Sequence, residues 1–406
     1  MSDPANVGRA LTGLMMASHV VTLEELPRMV AECAEAVGLY DVSFFLVDLQ
    51  GRVLREVTGG GLDAGLGGAE LAVDSTLAGL AYQRVDLVAE PDRPAARARC
   101  RWWIPVTDGV ERLGALRADT EQDDGPTREA LRALASMVAL LVLSKRDFSD
   151  SYARLVRTAP MSVSAEMQWH LTPPSAFAGR TTTVAALSEP AYDVGGDAFD
   201  YAVADGVLHL SMFDAMGHDA RAGLTANMAV AACRNARRQN AGLAAVAQAV
   251  EDTLIEQFGT TRYVTGILAD LDMRSGRLTW INRGHPVPVL LRAGRWSHEL
   301  KCPPAGPMGV DLQIPVTVCH EQLQPGDRLV LYTDGVVEAR DAERRQFGLQ
   351  RFTDYLVRHH ADRLTVHETL RRLIHAVLGH HDGHLDDDAT VLLAEWRDPH
   401  QEKLTP

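Results

Sequence analysis

Long apolar runs are missing from this chain of 406 residues. The nearest candidates are residues 10–21, broken by Thr12, Ser18 and His19 and lacking a basic flank, and residues 133–144. A bilayer needs about 20 apolar residues, so both read as buried helix and no membrane span is expected. An excess of positive charge is missing too: 40 Lys and Arg face 54 Asp and Glu, a formal net charge of −14. A chain so charged repels nucleic acid and anionic lipid, which excludes both as main partners. The cysteines, Cys33, Cys100, Cys233, Cys302 and Cys319, are odd in number, scattered and form no CxxC. They predict neither a disulfide framework nor a zinc site, and they suit the cytoplasm. The glycine-rich stretch at residues 59–68 is not followed by GK[ST], so it reads as a plain loop, and no kinase-type ATP motif occurs elsewhere.

What the chain does have is a set of aspartates at the edges of strand-like segments. The clearest is DAMGHD, residues 214–219, between an alternating apolar run (Val207, His209, Met212, Phe213) and an alanine-rich helical stretch at 220–238. An Asp there can simply cap the helix. It can also aim its carboxylate and the next carbonyl at one point, as hard divalent cations require. VGGD (194–197), YTDGV (332–336) and DDDAT (386–390) repeat the pattern.

The length suits two domains, or three. Near the start, Thr22 and Glu25 have the form of a capping box before a helical face of Leu26, Met29, Val30, Cys33 and Val37. Residues 42–48 with 53–57, and 102–106 with 114–118, read as strand pairs turning at Gly51 and Gly109. A short helix is expected after Ser75. Residues 126–171 read as helix almost throughout, with Pro160 the one strong break and suited to the first turn of a new helix. Leu134, Val138, Leu141 and Lys145 would then pair with a second copy, making a homodimer, and Val163, Met167 and Leu171 would pack on the following domain. Beyond residue 180, nine strands and two helical pairs without regular alternation imply antiparallel sheets covered by helices.

STLAGLAYQR (75–84) and ERLGALRAD (111–119) make the N-terminal region resemble a GAF domain, which implies a sensor over residues 1–145 with an unknown small ligand. A helical linker at 146–175 and a third segment at 176–398 complete the α+β organisation. In that last segment YDVGGDAFDY, DAMGHDARAG, INRGHPVPVLL, PAGPMGV, LQPGDRLVLYTDGVVEARD and DDDATVLL occur in order. This series resembles bacterial metal-dependent protein phosphatases of the SpoIIE and RsbU type, a branch of the type 2C serine/threonine phosphatases. The resemblance implies two packed antiparallel β-sheets flanked by helices, with two Mn²⁺ or Mg²⁺ ions at one edge. It implies that Asp197, Asp214, Asp334 and Asp387 hold the metals, Asp214 touching both, and that Ala215 adds a backbone carbonyl. It also implies in-line attack of an activated water on a phosphoserine or phosphothreonine, with a STAS-domain anti-anti-sigma factor as the protein substrate.

The sequence departs from the family pattern in places. Ala198 replaces an aromatic, and Asp219 replaces a glycine. No Arg precedes Asp197 where type 2C enzymes of higher organisms bind phosphate, which leaves Arg221 as the candidate. His218 could act as an acid or be a solvated loop residue, the cluster His380, His381 and His384 reads as a polar loop, and Asp388 has no assigned part. The alternative to an enzyme is a non-catalytic sensor or adaptor that keeps the fold and binds a partner.

Overall fold

The computed structural model describes residues 4–91, 99–193, 195–217, 219–362, 364–380 and 387–397. The chain divides into two units, Met1–Pro160 and Met161–Pro406.

In the first unit α1 (Pro4–Ala17) and α2 (Leu26–Glu35) precede β1 (Leu39–Val47), β2 (Val53–Glu56) and β3 (Glu70–Ala72). Then come α3 (Leu77–Arg84), β4 (Val88–Ala89), β5 (Cys100–Asp108), β6 (Glu111–Thr120), α4 (Gly125–Arg146) and α5 (Asp150–Val156). The strands form one antiparallel sheet in the order β3-β2-β1-β6-β5-β4. Glu25 does reach back to the Thr22 N–H, at 2.9 Å. Thr76 caps α3 by accepting from Gly79, and Gly79 is required there because a Cβ would lie 1.9 Å from the Val73 carbonyl.

The helical stretch expected at 126–171 is three helices. α4 stops at Arg146; Ser149 then caps α5 and Ser162 caps α6 (Val163–Leu171), each hydroxyl accepting from the backbone N–H three residues on. Pro160 precedes α6 and is not in its first turn. The face of α4 expected to meet a second copy is already covered. Leu134, Val138, Leu141 and Lys145 are all buried as α4 packs on β5, β6 and α1, and the Lys145 ammonium donates to the Ser18 carbonyl at 2.8 Å.

After α6 the second unit runs through β7 (Ala176–Ala178), β8 (Thr182–Glu189), β9 (Asp197–Ala204), β10 (Val207–Ala215), α7 (Ala220–Arg238) and α8 (Leu243–Phe258). It continues with β11 (Val264–Asp272), β12 (Arg277–Arg283), β13 (Val289–Arg292), β14 (Trp296–Glu299), β15 (Cys319–Gln322) and β16 (Arg328–Tyr332). Last come α9 (Asp334–Glu338), α10 (Leu349–Ala361), α11 (Val366–His380) and β17 (Ala389–Trp396). Two antiparallel sheets result, β15-β12-β11-β10-β9 and β14-β13-β16-β17-β8-β7. Leu210, Met212, Ile267 and Trp280 from the first and Leu329, Leu331, Leu392 and Trp396 from the second make one buried cluster, so the apolar alternation of these strands is spent between the sheets. On the other side of the first sheet α7 and α8 pack through Ala222, Ala226, Ala229, Val246 and Ala247, whose small side chains bring helix close to strand. Ala198 lies in this layer. α11 covers β8 and β17.

Cys302 and Cys319 form a disulfide, against the expectation of none. Their spacing carries no signal; the return of the chain from β14 to β15 brings them together. Cys33, Cys100 and Cys233 are free thiols. Among the described residues no helix is long and apolar enough to cross a membrane.

Candidate active site

The two sheets end side by side at one edge of the second unit, and the aspartate motifs sit there. β9 begins at Asp197 and β10 carries Asp214 directly opposite it in register. Glycines make the approach possible: the Ala215 N–H donates to the Gly196 carbonyl at 2.9 Å, and a Cβ on Gly196 would stand 2.5 Å from the Ala215 carbonyl oxygen. From the other sheet, Asp334 follows β16 and Asp387 and Asp388 precede β17, which pairs with β16.

Thr333 joins the sheets. Its hydroxyl donates to Asp197 Oδ2 at 2.6 Å and accepts from the Thr390 N–H at 2.9 Å, which fixes a carboxylate that is only 2% exposed. Asp388, also buried, accepts from the Gly196 N–H. It explains two further glycines, since a Cβ on Gly195 would meet its carboxylate at 2.5 Å and one on Gly335 its backbone oxygen at 1.9 Å. His285, from the GHP motif, is buried between the sheets with Nδ1 2.8 Å from Thr265 Oγ1. Thr265 lies opposite Asp214, and burial lowers the His285 pKa to about 3, leaving a neutral wedge.

The electrostatics express crowding of one sign. Burial, then Asp334, Asp387 and Asp388, push the Asp214 carboxyl up to about 7. Burial, then Asp214 and Asp388, hold Asp197 well above the usual carboxylate range against the opposing bond from Thr333. Asp334 is raised by burial and then by Asp387. Among the described residues no three His, Cys, Asp or Glu side chains already form a closed metal-holding group. The five aspartates feel one another's charge across the mouth all the same, and such a set is relieved by a cation.

Asp219 is an N-cap: its carboxylate accepts from the N–H groups of Arg221 and Ala222. His380 points elsewhere, toward the Arg345 carbonyl at 3.0 Å. Val194, His218, His381, His384 and Asp386 lie outside the described residues. Thr333 and the use of Asp388 were missed in the sequence, although a Thr ending the apolar run LVLY is a polar signal in a buried strand.

Residues 204–397 match the family model of stage II sporulation protein E (SpoIIE), a span that lies within the second unit. The matched span includes Asp214, Asp334 and Asp387, with Asp197 just before it. A curated relative, protein IcfG of Synechocystis sp., is 28% identical over 136 residues, 33% of this chain and 21% of that protein. The chain thus matches about a fifth of that relative's length. Among solved structures, the RsbU and RsbW domains of a Mycobacterium tuberculosis protein align at 24% identity and TM-score 0.49, covering 56% of this chain and 63% of that one. The SiaA-PP2C domain of Pseudomonas aeruginosa aligns at 20% identity and TM-score 0.49, covering 58% and 94%.

Proposed function

We propose that the second unit is a metal-dependent protein serine/threonine phosphatase of the SpoIIE family. The observation that supports this most is the convergence of Asp197, Asp214, Asp334, Asp387 and Asp388 on one edge, with Asp214 pushed up to about 7. The donor set suits two Mn²⁺ or Mg²⁺ ions, because carboxylates and a main-chain carbonyl are what hard cations take, and the raised proton affinity marks charge that a cation would neutralise. In this reading Asp197, Asp214, Asp334 and Asp387 hold the ions, with the Ala215 carbonyl as a further donor. When bound, the ions supply Lewis acidity toward phosphoryl oxygens and an activated water for in-line hydrolysis. The chain's own part is to fix the ligands. Thr333 sets the Asp197 carboxylate, the Asp388 carboxylate sets the Gly196 backbone, and the glycines let the loops meet.

The substrate in this reading is a phosphoserine or phosphothreonine on a STAS-domain anti-anti-sigma factor, which rests on the family resemblance alone. Residues 1–145 act as a GAF-like sensor, 146–175 as a linker and 176–398 as the phosphatase domain. Phosphorylated STAS proteins from the same genome test the substrate: at least one should be turned over, in Mn²⁺, far faster than an unrelated phosphopeptide. Equal rates for all would remove the STAS assignment.

A further inference from the structure

Among the described residues the carboxylates of Asp197, Asp214, Asp334, Asp387 and Asp388 gather at this edge, with the Asp219 cap a further acid, and the substrate phosphate would add to that charge. Cations held by the aspartates answer part of it; a phosphate also needs donors on the side away from the carboxylates. Two arginines lie close enough for their charge to reach Asp219, Arg262 and Arg221. They differ in how they are held. Arg221 is exposed on the first turn of α7.

Arg262 is half-buried and sits just before β11, whose first residue, Val264, lies opposite Ala215. The Met216 N–H donates to the Tyr263 carbonyl at 3.2 Å, so Arg262 is one step beyond the loop that carries Asp214 and Ala215. Its guanidinium makes one long bond, Nη1 to the Met216 carbonyl at 3.4 Å, and has no carboxylate partner among the described residues. Other buried or half-buried arginines of the second unit are occupied: Arg234 and Arg237 by Asp200, Arg283 by Glu251, Arg328 by Glu395. Its backbone is held firmly. Val264 and Met308 exchange both backbone hydrogen bonds, at 2.9 and 2.8 Å, and Gly309, at φ +108°, packs so tightly that a Cβ would come within 2.5 Å of the Arg262 carbonyl oxygen. A planar fork with free N–H groups, on a fixed stem at the rim of an acidic site, is the arrangement that grips phosphate in two places.

We propose that Arg262 binds the phosphoryl oxygens of the substrate. This rests on the phosphatase reading. The test uses the full chain with Mn²⁺, an aryl phosphate as substrate, and inorganic phosphate as a ligand measured by calorimetry. Arg262→Ala should raise KM and the Kd of inorganic phosphate by about tenfold, the loss of a charge-assisted pair, with Mn²⁺ affinity and melting temperature unchanged. Arg262→Lys should recover part of this, keeping the charge without the fork. An unchanged phosphate Kd in Arg262→Ala, a matching loss of Mn²⁺ affinity or stability, or a larger effect from Arg221→Ala would each overturn the assignment. If the unmodified chain neither bound Mn²⁺ nor turned over the substrate, the phosphatase reading would fall and Arg262's role with it. Normal wild-type turnover with an indifferent Arg262→Ala would remove the arginine alone.

Discussion

Asp214 holds its proton to about pH 7 because it is buried among Asp334, Asp387 and Asp388. In the unfolded chain an aspartate releases its proton near pH 3.9. Between those two values the folded, metal-free protein binds more protons than the unfolded one, so Asp214's contribution to stability is lost as pH rises from about 4 to about 7. We expect the metal-free melting temperature to decline over that window and Asp214→Asn to flatten the decline, as read by thermal denaturation in chelator; an equal slope in both proteins would contradict this origin. The aspartates themselves were legible in the sequence, because each lies in a short motif beside a strand-like run. Their supports were not. Thr333 meets Asp197 across 136 positions, and Asp388 meets Gly196 across 192. Partnerships of that span exist only once the sheets have formed; the Cys302–Cys319 pair, 17 residues apart, was invisible because its spacing carries no signal.

The helices show where periodicity misleads. It reports that a face is apolar, not what covers it: the α4 stripe is real but is buried by its own unit. In α6 the expected stripe fails outright, with Val163 and Met167 exposed. The helix packs against α7 with Ala165 buried. The Gln168 amide donates to the backbone carbonyl of Asp197, and Arg234 holds the Leu171 carbonyl at 2.7 Å. The link from α6 to the site is therefore polar and runs through a residue that a hydrophobic pattern passes over. Gln168→Ala should raise the Mn²⁺ concentration needed for half-maximal turnover by about two- to tenfold, the worth of one hydrogen bond, whereas Met167→Ala should leave it unchanged. If Gln168→Ala behaved like wild type, α6 would be packing only. The strands fared better, because buried alternation on both sides of a sandwich leaves little freedom in register. The short edge strands β7 and β14 and the five-residue α9 were too brief to announce themselves.

At the scale of the molecule, the second unit holds within itself everything the proposed chemistry uses: both sheets, α6 and all five aspartates. The first unit has its own sheet and its own buried cluster around Phe45, Leu54, Tyr82 and Ala115. The control proposed for the first unit is thus separable in principle from the catalysis proposed for the second. The central claim concerns the second, that a crowded edge of carboxylates is a divalent-cation site built for phosphate ester hydrolysis. Its most direct test is turnover of an aryl phosphate by the full chain during a Mn²⁺ titration, beside Asp214→Asn and an excess-chelator control. We predict saturable, Mn²⁺-dependent turnover that chelator abolishes and that falls at least a hundredfold in Asp214→Asn, about 2.7 kcal/mol of barrier, while the variant keeps the wild-type fold by circular dichroism. Turnover that survives chelator, or an Asp214→Asn protein as active as the wild type, would contradict it.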